Sequence, residues 1–207
     1  MVRIMACVPV RGMVSADFLI NLINRMDEYA VEFRQKLLFS AAVPLDVARN
    51  ELVDVALKQD PRVEYIWFID TDSIIPRKLL YQLIECGSTV ASALYFRKLF
   101  PYDPLMYKKE GDRYNPIREF KYGEIISVDA VGMGCCLIDT RVFPYLEKPY
   151  FKFEWDGDKV ISEDIYFCNK VKEAGFEVKV NTDALIGHWG GMITNLQFEN
   201  AKPMTKL

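Results

Sequence analysis

The chain has 207 residues, a length that suits one domain with a sizeable core. Hydrophobic residues make up 51% of the sequence, which excludes a disordered chain. The net charge of −3 lacks the basic footprint of a nucleic-acid-binding protein, and no apolar run reaches the roughly 20 residues of a membrane-spanning helix. Five cysteines without a CxxC spacing argue against a zinc site or a disulfide framework, so we expect a reducing, cytoplasmic compartment, with or without peripheral contact to a membrane.

Strand and helix patterns alternate through the first half of the chain. The apolar N-terminus predicts a first strand rather than a signal peptide. Helical spacing of apolar residues begins near positions 15, 44 and 76. Strands are predicted before, between and after these helices, at residues 2–10, 36–43, 65–69 and 89–96. This order predicts βαβ units and an α/β fold with a mostly parallel central sheet flanked by helices.

The second half of the chain has a less regular pattern. Residues 97–123, rich in tyrosine and interrupted by prolines, predict loops and a small antiparallel portion. Further strands are expected at 124–129, 134–138 and 177–181. A short helix at 140–146, an aromatic loop at 148–159, a helix at 162–174 and a loop at 186–191 complete the prediction. We expect a single domain over residues 1–192 and a C-terminal tail over 193–207.

A buried strand that ends in two carboxylates is the strongest local signal. An apolar run from position 65 to 69 leads directly into Asp70-Thr71-Asp72. Strand alternation predicts that Asp70 and Asp72 share one side, with Thr71 opposite. Two oxygen ligands at the carboxyl end of a parallel strand suit Mg²⁺ or Mn²⁺, which keep open positions for substrate phosphates. The alternative is a loop in which the Asp70 side chain caps Ser73 or Ile74.

Three further groups of residues have both a functional and a structural interpretation. Glu163 and Asp164 open a predicted helix, where acids are common dipole partners, but Asp164 also suits a general base. His188 is the only histidine and suits either a metal or phosphate contact or a structural position. Arg49 and Asn50 lie in the second predicted helix, either on a solvated face or as donors to nucleotide phosphates. The sequence contains neither GxGxxG nor the P-loop motif, which disfavours dinucleotide and P-loop folds.

The ordered set of motifs resembles the GT-A glycosyltransferases, especially the family 2-like enzymes of bacteria, archaea and viruses. The resemblance spans about residues 2–189, and its pieces are VPVRG, ARNELV, WFIDTDSIIP, VGMGCCLIDTRVF, SEDIYFCNKVKEAGFEVKV and IGHWGG. It implies a GT-A fold and an inverting transfer of sugar from a UDP- or GDP-sugar to a hydroxyl of a glycan, lipid or protein acceptor. It also implies a Mn²⁺ or Mg²⁺ cofactor. The chain lacks the long acceptor domain of larger members.

The resemblance implies particular donor-binding residues. The base pocket would be formed after the first strand, the diphosphate would meet the DxD motif through the cation, and a glycine stretch would let donor and acceptor approach the backbone. The implied residues are Val8, Pro9, Arg11, Arg49, Asn50, Asp70, Asp72, Gly132 and Gly134.

The same resemblance implies a catalytic pair and an acceptor contact. Glu163 and Asp164 match the ED pair, whose aspartate is the catalytic base in inverting members. His188 matches a late histidine that contacts the metal or the diphosphate in some members, so the implied metal-binding residues are Asp70, Asp72 and His188. Trp155 lies in a stretch that shapes the acceptor site in similar enzymes.

Other functions are compatible with parts of the sequence. FIDTDSI loosely fits the nucleophile motif of haloacid-dehalogenase-like phosphatases, and GDKVISED loosely fits their late acidic motif. In those enzymes, however, the first motif usually follows the first core strand, whereas two predicted βα units precede it here. The glycine-rich, basic signature of sugar-nucleotide pyrophosphorylases is absent after the first strand. The non-enzymatic alternative is a nucleotide-sugar-binding module that has lost catalysis.

Overall fold

The computed structural model describes residues 1–157 and 159–188. Its helices are α1 (Ala16–Tyr29), α2 (Leu45–Leu57), α3 (Leu79–Glu85) and α4 (Glu163–Glu173), and a 3-10 turn spans Thr140–Tyr145. In chain order its strands are β1 (Val2–Pro9), β2 (Phe33–Ser40), β3 (Tyr65–Ile69), β4 (Ser73–Ile74), β5 (Val90–Leu94), β6 (Met106–Glu110), β7 (Arg113–Pro116), β8 (Ile125–Val128), β9 (Ala130–Val131), β10 (Cys135–Asp139), β11 (Glu154–Asp156), β12 (Lys159–Ile161), β13 (Val178–Leu185) and β14 (Gly187–His188).

The largest sheet in the described part of the chain has seven strands in the order β2-β1-β3-β10-β5-β13-β8. β1 pairs in parallel with β2 and β3, and β5 pairs in parallel with β13. β10 runs antiparallel between β3 and β5, and β8 lies antiparallel to β13. Five of the seven strands therefore run in one direction, which confirms the predicted α/β fold with a mostly parallel sheet.

Apolar side chains cover both faces of this sheet. On β3, Ile66 and Phe68 pack into one buried cluster, which also includes residues of α2 and α4. Trp67 and Ile69 pack into the other cluster, with residues of α1 and α3. Because both faces are buried, the strand has a continuous apolar run instead of an alternating one. All five cysteines are buried free thiols.

Several boundaries differ from the sequence prediction. β2 begins at Phe33, three residues before the predicted start, because Phe33 is buried and pairs with Val2 of β1. The predicted aromatic loop contains β11, which forms a hairpin with β12. The last predicted strand continues to Leu185 with an irregular register against β5, and the predicted loop after it contributes β14. These segments form strands because they pair with other segments of the chain, and the local sequence pattern does not show this pairing.

The smaller sheets confirm the predicted antiparallel portion. β6 pairs with both β7 and β9, and β14 pairs with β4. No helix among residues 1–157 and 159–188 is long and apolar enough to cross a membrane. The predicted domain end at residue 192 and the tail over 193–207 lie outside the described residues.

Candidate functional site

The ends of β1 and β3 create a crevice at one edge of the sheet. The two strands are parallel neighbours, so their carboxyl ends lie at the same edge. The chain continues from β1 to β2 on one side and returns to β3 on the other, so the strand order reverses between β1 and β3. In open α/β sheets, ligands bind at such a reversal, outside the carboxyl ends of the strands. The sheet topology therefore predicts a ligand site at this crevice.

A cleft of about 280 Å³ opens at this crevice. It contains four residues that were predicted to bind donor or metal, two from each strand end. Its lining residues are Pro9, Arg11, Leu45, Asp70, Thr71 and Asp72. Val8, which was also predicted to line the base pocket, is instead fully buried within the sheet.

Volume alone does not single out this cleft. A cavity of about 300 Å³ lies at the opposite edge of the sheet, beside Arg3 and Arg141. Arg3 pairs with Glu64 there and Arg141 pairs with Asp139. The position at the strand reversal distinguishes the cleft beside β1 and β3.

The chain turns sharply after β3, and this turn places Thr71 in the cleft. The Ser73 N–H donates to the Asp70 carbonyl at 3.1 Å, so residues 70–72 do not continue the strand. The prediction that Thr71 points away was therefore wrong, because alternation applies only to extended backbone. The alternative in which the Asp70 side chain caps Ser73 is also wrong, since the bond is made by the backbone carbonyl.

Each DxD carboxylate pairs with a cation and keeps contact with solvent. Asp70 Oδ1 accepts a hydrogen bond from Arg49 Nη2 at 3.0 Å, and Asp72 Oδ2 accepts one from Lys98 Nζ. The side chains of Asp70 and Asp72 are 35% and 40% exposed. Lys98 carried no signal in the sequence, because it reaches Asp72 only through the loop that follows β5.

Two exposed carboxylates in one cleft fit a Mg²⁺ or Mn²⁺ ion. These ions are usually bound by one or two carboxylates together with water and substrate phosphates. The described residues contain no group of three or more His, Cys, Asp or Glu side chains that could hold a metal ion. Asp70 and Asp72 would therefore supply the protein ligands, and phosphate oxygens would complete the coordination.

The backbone of His188 lies beside the DxD turn. β14 pairs with β4 so that His188 is opposite Ser73, the residue that follows Asp72. The pairing explains how a residue 116 positions after Asp72 returns to the same edge of the sheet. The side chain of His188 is not among the described parts of the chain, so its predicted metal or diphosphate contact stays a prediction.

Arg49 was predicted either on a solvated helix face or as a donor to nucleotide phosphates, and the structure places it in neither environment. Its side chain is 2% exposed, so it lies neither on a solvated face nor in the open cleft. Its guanidinium donates to Asp70, to Glu163 Oε1 at 3.3 Å and to the Met133 carbonyl at 3.3 Å, and lies 5.1 Å from the centre of the Phe68 ring. Burial by itself lowers the pKa of Arg49, but the carboxylates of Asp70 and Glu163 outweigh it, so the pKa is raised and the group stays charged.

Asn50 connects α2 to the segment before β11 instead of facing the cleft. Its Nδ2 donates to the Asp46 and Phe151 carbonyls at 2.8 and 2.7 Å. Its Oδ1 accepts from the N–H groups of Tyr150 and Phe151 at 2.8 and 3.2 Å. The amide thus uses both of its donors and both lone pairs within the protein, which differs from the predicted nucleotide contact.

Gly132 and Gly134 permit a close approach to the backbone, and side chains of the protein itself occupy that space. A Cβ on Gly132 would lie 2.3 Å from the Tyr95 hydroxyl, and one on Gly134 would lie 3.0 Å from that hydroxyl and 3.2 Å from Asp70 Oδ2. The absence of side chains lets Tyr95 and Asp70 pack against the backbone here. Tyr95 was not identified from the sequence, since an aromatic residue after a buried strand is an ordinary core signal.

Glu163 and Asp164 begin α4 but face different surroundings. Glu163 is buried and accepts a hydrogen bond from Arg49. Asp164 is partly exposed, and its Oδ1 accepts hydrogen bonds from the Ser162 hydroxyl and from the Ile165 N–H. Burial raises the pKa of both carboxyls; the neighbouring Asp164 charge raises that of Glu163 further, while Arg49 opposes both shifts. Asp164 is therefore a carboxylate of increased basicity.

Trp155 lies on β11, in the hairpin that leads into α4. Its side chain is 75% exposed, so the indole face is open to solvent. The prediction placed Trp155 in a loop, whereas pairing with Val160 gives it a strand position. An exposed aromatic ring nine positions before a candidate base suits an acceptor contact, and that role stays a prediction.

Comparison with known proteins gives a match in structure only. No protein-family model matches the sequence, and no curated protein matches it. The protein A197 from STIV has a TM-score of 0.62 and 18% identity, with 90% of this chain and 85% of that chain covered. The catalytic domain of Drosophila beta1,4galactosyltransferase 7 in complex with xylobiose has a TM-score of 0.53 and 15% identity, with 98% and 80% covered.

A mutant of the same Drosophila enzyme, in complex with manganese, UDP-Gal and xylobiose, also has a TM-score of 0.53. It is 16% identical, and the match covers all of this chain and 76% of that one. Identities this low establish the fold and not the family 2 assignment. The chain has the α/β fold of the GT-A glycosyltransferases.

Proposed function

We propose that the chain is a metal-dependent, family 2-like glycosyltransferase that moves a sugar from a nucleoside-diphosphate sugar to an acceptor hydroxyl with inversion. One observation carries the proposal: Pro9 and Arg11 at the end of β1 meet Asp70 and Asp72 after β3 in one cleft at the strand reversal. The matched Drosophila enzyme, which shares the fold, was crystallised with manganese and UDP-Gal.

The cleft has the charges that a nucleoside diphosphate needs. Asp70 and Asp72 would hold Mn²⁺ or Mg²⁺, which stabilises the negative charge that grows on the diphosphate as the sugar leaves. Arg11 lines the same cleft and Lys98 lies at its edge beside Asp72, so both can contact phosphate oxygens. Pro9 offers an apolar surface for the base of a UDP- or GDP-sugar.

The start of α4 supplies the group that activates the acceptor. Asp164 Oδ1 is held by the Ser162 hydroxyl and the Ile165 N–H, and the residue is partly exposed. In the proposed step, Asp164 removes the proton from the acceptor hydroxyl, whose oxygen attacks the anomeric carbon as the bond to the diphosphate breaks. Trp155 is proposed to contact a glycan, lipid or protein acceptor through its exposed ring.

Two other functions would give different products. A haloacid-dehalogenase-like phosphatase that uses the DTD motif would release inorganic phosphate from a phosphomonoester. A non-catalytic nucleotide-sugar-binding module would bind donor and release nothing. The GT-A fold favours the transferase over the phosphatase, because two βα units precede the DxD strand.

A ligand screen followed by product analysis tests the proposal. Nucleoside diphosphates and nucleotide sugars should raise the melting temperature in the presence of Mn²⁺, since a ligand at about 100 times its Kd stabilises the folded state by roughly 2.7 kcal/mol. The stabilising nucleotide sugar should then yield free nucleoside diphosphate. Release of phosphate from a phosphomonoester, or binding without any release, would contradict the transferase function.

A further inference from the structure

Arg49 is a charged residue sealed inside the protein next to the candidate site. Its side chain is 2% exposed, although it belongs to α2, a surface helix with several exposed residues. Removing a guanidinium from water is costly unless acceptors replace the water. The structure supplies two carboxylates, one carbonyl and an aromatic ring to the same group. The buried Arg49 charge therefore depends on these particular acceptors.

The three acceptors come from three segments of the chain that are far apart in the sequence. Asp70 follows β3 and lines the cleft, and Met133 lies in the glycine stretch before β10. Glu163 is the first residue of α4 and directly precedes Asp164. The Arg49 guanidinium thus connects Asp70, a proposed metal ligand, to α4, the helix that carries the candidate base Asp164.

The contacts of Arg49 favour this connecting role over direct contact with the donor. A ligand in the cleft meets Asp70 first, because Asp70 is 35% exposed and Arg49 lies behind it. Nε and Nη2 of the guanidinium bind the two carboxylates separately, which a single ammonium group could not reproduce. Both carboxylate partners of Arg49 belong to the candidate site: Asp70 is a proposed metal ligand, and Glu163 directly precedes the candidate base Asp164. A purely structural ion pair would have no reason to join these two positions.

We infer that Arg49 is a positioning residue, which fixes Asp70 and the start of α4 relative to each other so that cation and base act on the same donor and acceptor. The catalytic purpose of this positioning rests on the proposed function, whereas the contacts of Arg49 with Asp70 and Glu163 belong to the fold. Binding of a nucleoside diphosphate at Asp70 should consequently stabilise the first turn of α4. The Tyr166 N–H, which donates to the Ser162 carbonyl at 2.9 Å, reports on that turn.

Arg49→Lys tests the inference because it keeps the charge and removes the two-sided contact. We expect binding of UDP or GDP in Mn²⁺ to weaken by about tenfold, as the loss of one hydrogen bond to a charged group predicts. In wild type, the bound nucleotide should slow hydrogen exchange at the Tyr166 N–H several-fold. In Arg49→Lys it should leave that exchange unchanged even at saturating nucleotide, a result that general loss of stability would not produce.

The control is Arg141→Lys, which disrupts another arginine–aspartate pair, with Asp139, at the opposite edge of the sheet. This control should retain both the nucleotide affinity and the exchange response. If Arg49→Lys retains them as well, Arg49 has no positioning role and the proposed function stands. If Arg49→Lys does not fold, Glu163→Leu replaces it, since leucine leaves Arg49 in place and has no atom that can accept the hydrogen bond from Arg49 Nε.

The inference and the proposed function can fail separately. If wild type shows no Mn²⁺-dependent binding of any nucleoside diphosphate, the proposed function is wrong. Asp70→Asn without ligand then decides the role of Arg49: exchange at the Tyr166 N–H should accelerate several-fold in the wild-type background and remain unchanged in the Arg49→Lys background. Equal acceleration in both backgrounds would show that Asp70 and α4 are not connected through Arg49.

Discussion

The hydroxyl oxygen of Tyr95 accepts a hydrogen bond from the Gly134 N–H at 2.8 Å, directly behind the DxD turn. Burial raises the pKa of Tyr95 well above its ordinary value, so the phenol stays neutral. Gly134 in turn accepts the Asp70 N–H through its carbonyl at 2.8 Å. Tyr95 therefore supports the backbone that positions Asp70, without itself lining the cleft.

Gly132→Ala should destabilise the fold because its Cβ would lie 2.3 Å from the Tyr95 hydroxyl. Overpacking of this kind typically costs about 1–3 kcal/mol in the free energy of unfolding. Tyr95→Phe removes the nearest atom, so Gly132→Ala should cost less in that background, as measured by urea denaturation of both single variants and the double variant. Equal costs in both backgrounds would show that another contact limits the space.

Asp72→Asn should weaken the binding of a nucleoside diphosphate in Mn²⁺ while barely changing the melting temperature, because Asp72 is 40% exposed. Titration calorimetry with and without Mn²⁺ measures the effect. Asp54→Asn is the matched control, since Asp54 is similarly exposed and also pairs with a lysine, Lys148. Equal affinity of wild type with and without metal would exclude a cation between Asp72 and the diphosphate.

Lys98→Gln should increase the affinity of the nucleotide-free protein for Mn²⁺, because the Lys98 charge competes with the ion for Asp72. Exposed ion pairs contribute about 0.2–1 kcal/mol, so the increase should be small, up to about fivefold. The same variant should bind nucleoside diphosphate less tightly if Lys98 moves to a phosphate. Lys148→Gln, at the pair with Asp54, should alter neither quantity. Weaker Mn²⁺ binding by Lys98→Gln would contradict the competition.

His188→Ala should weaken metal-dependent binding of nucleoside diphosphate without unfolding the chain, since the His188 backbone lies opposite Ser73 beside the DxD turn. Calorimetry in Mn²⁺ and a thermal melt of the same sample measure both quantities. A lower melting temperature with unchanged affinity would assign His188 a structural role.

Asp164→Asn should lower turnover by about 10²–10⁴-fold with nearly normal donor binding, which is the usual contribution of a general base. Asp17→Asn is the control, because Asp17 is likewise an acid in the first turn of a helix, α1. Turnover of Asp164→Asn within a few fold of wild type would remove Asp164 as the base. A product that retains the anomeric configuration of the donor would exclude single-step inversion.

The raised pKa of Asp164 also predicts how stability depends on pH. The folded protein holds this proton more tightly than the unfolded chain does, so its stabilising contribution is full below the ordinary aspartate value of about 4 and is lost as pH rises through the raised pKa. Asp164→Asn has no such loss. Its stability relative to wild type should therefore increase with pH across that interval and then level off in urea denaturation. A constant difference across that interval would contradict the raised pKa.

The local sequence pattern determined the main strands of the central sheet and which residue types stand at their ends. The apolar run before Asp70 predicted β3 with its observed bounds, because a strand buried on both faces has to be continuously apolar. The alternation of strands and helices predicted the mostly parallel sheet, and parallel strands bring Pro9, Arg11, Asp70 and Asp72 to one edge.

Which of these residues face the cleft and which support it depends on how the chain folds. Arg49 and Asn50 resemble ligand-binding residues in sequence, yet one is buried between Asp70 and Glu163 and the other bonds to backbone groups. Lys98 reaches Asp72 from 26 positions away, a contact that no local pattern encodes. The sequence specifies residue types and periodicities, whereas burial and ion pairing depend on contacts between distant segments, which exist only once the sheet has assembled.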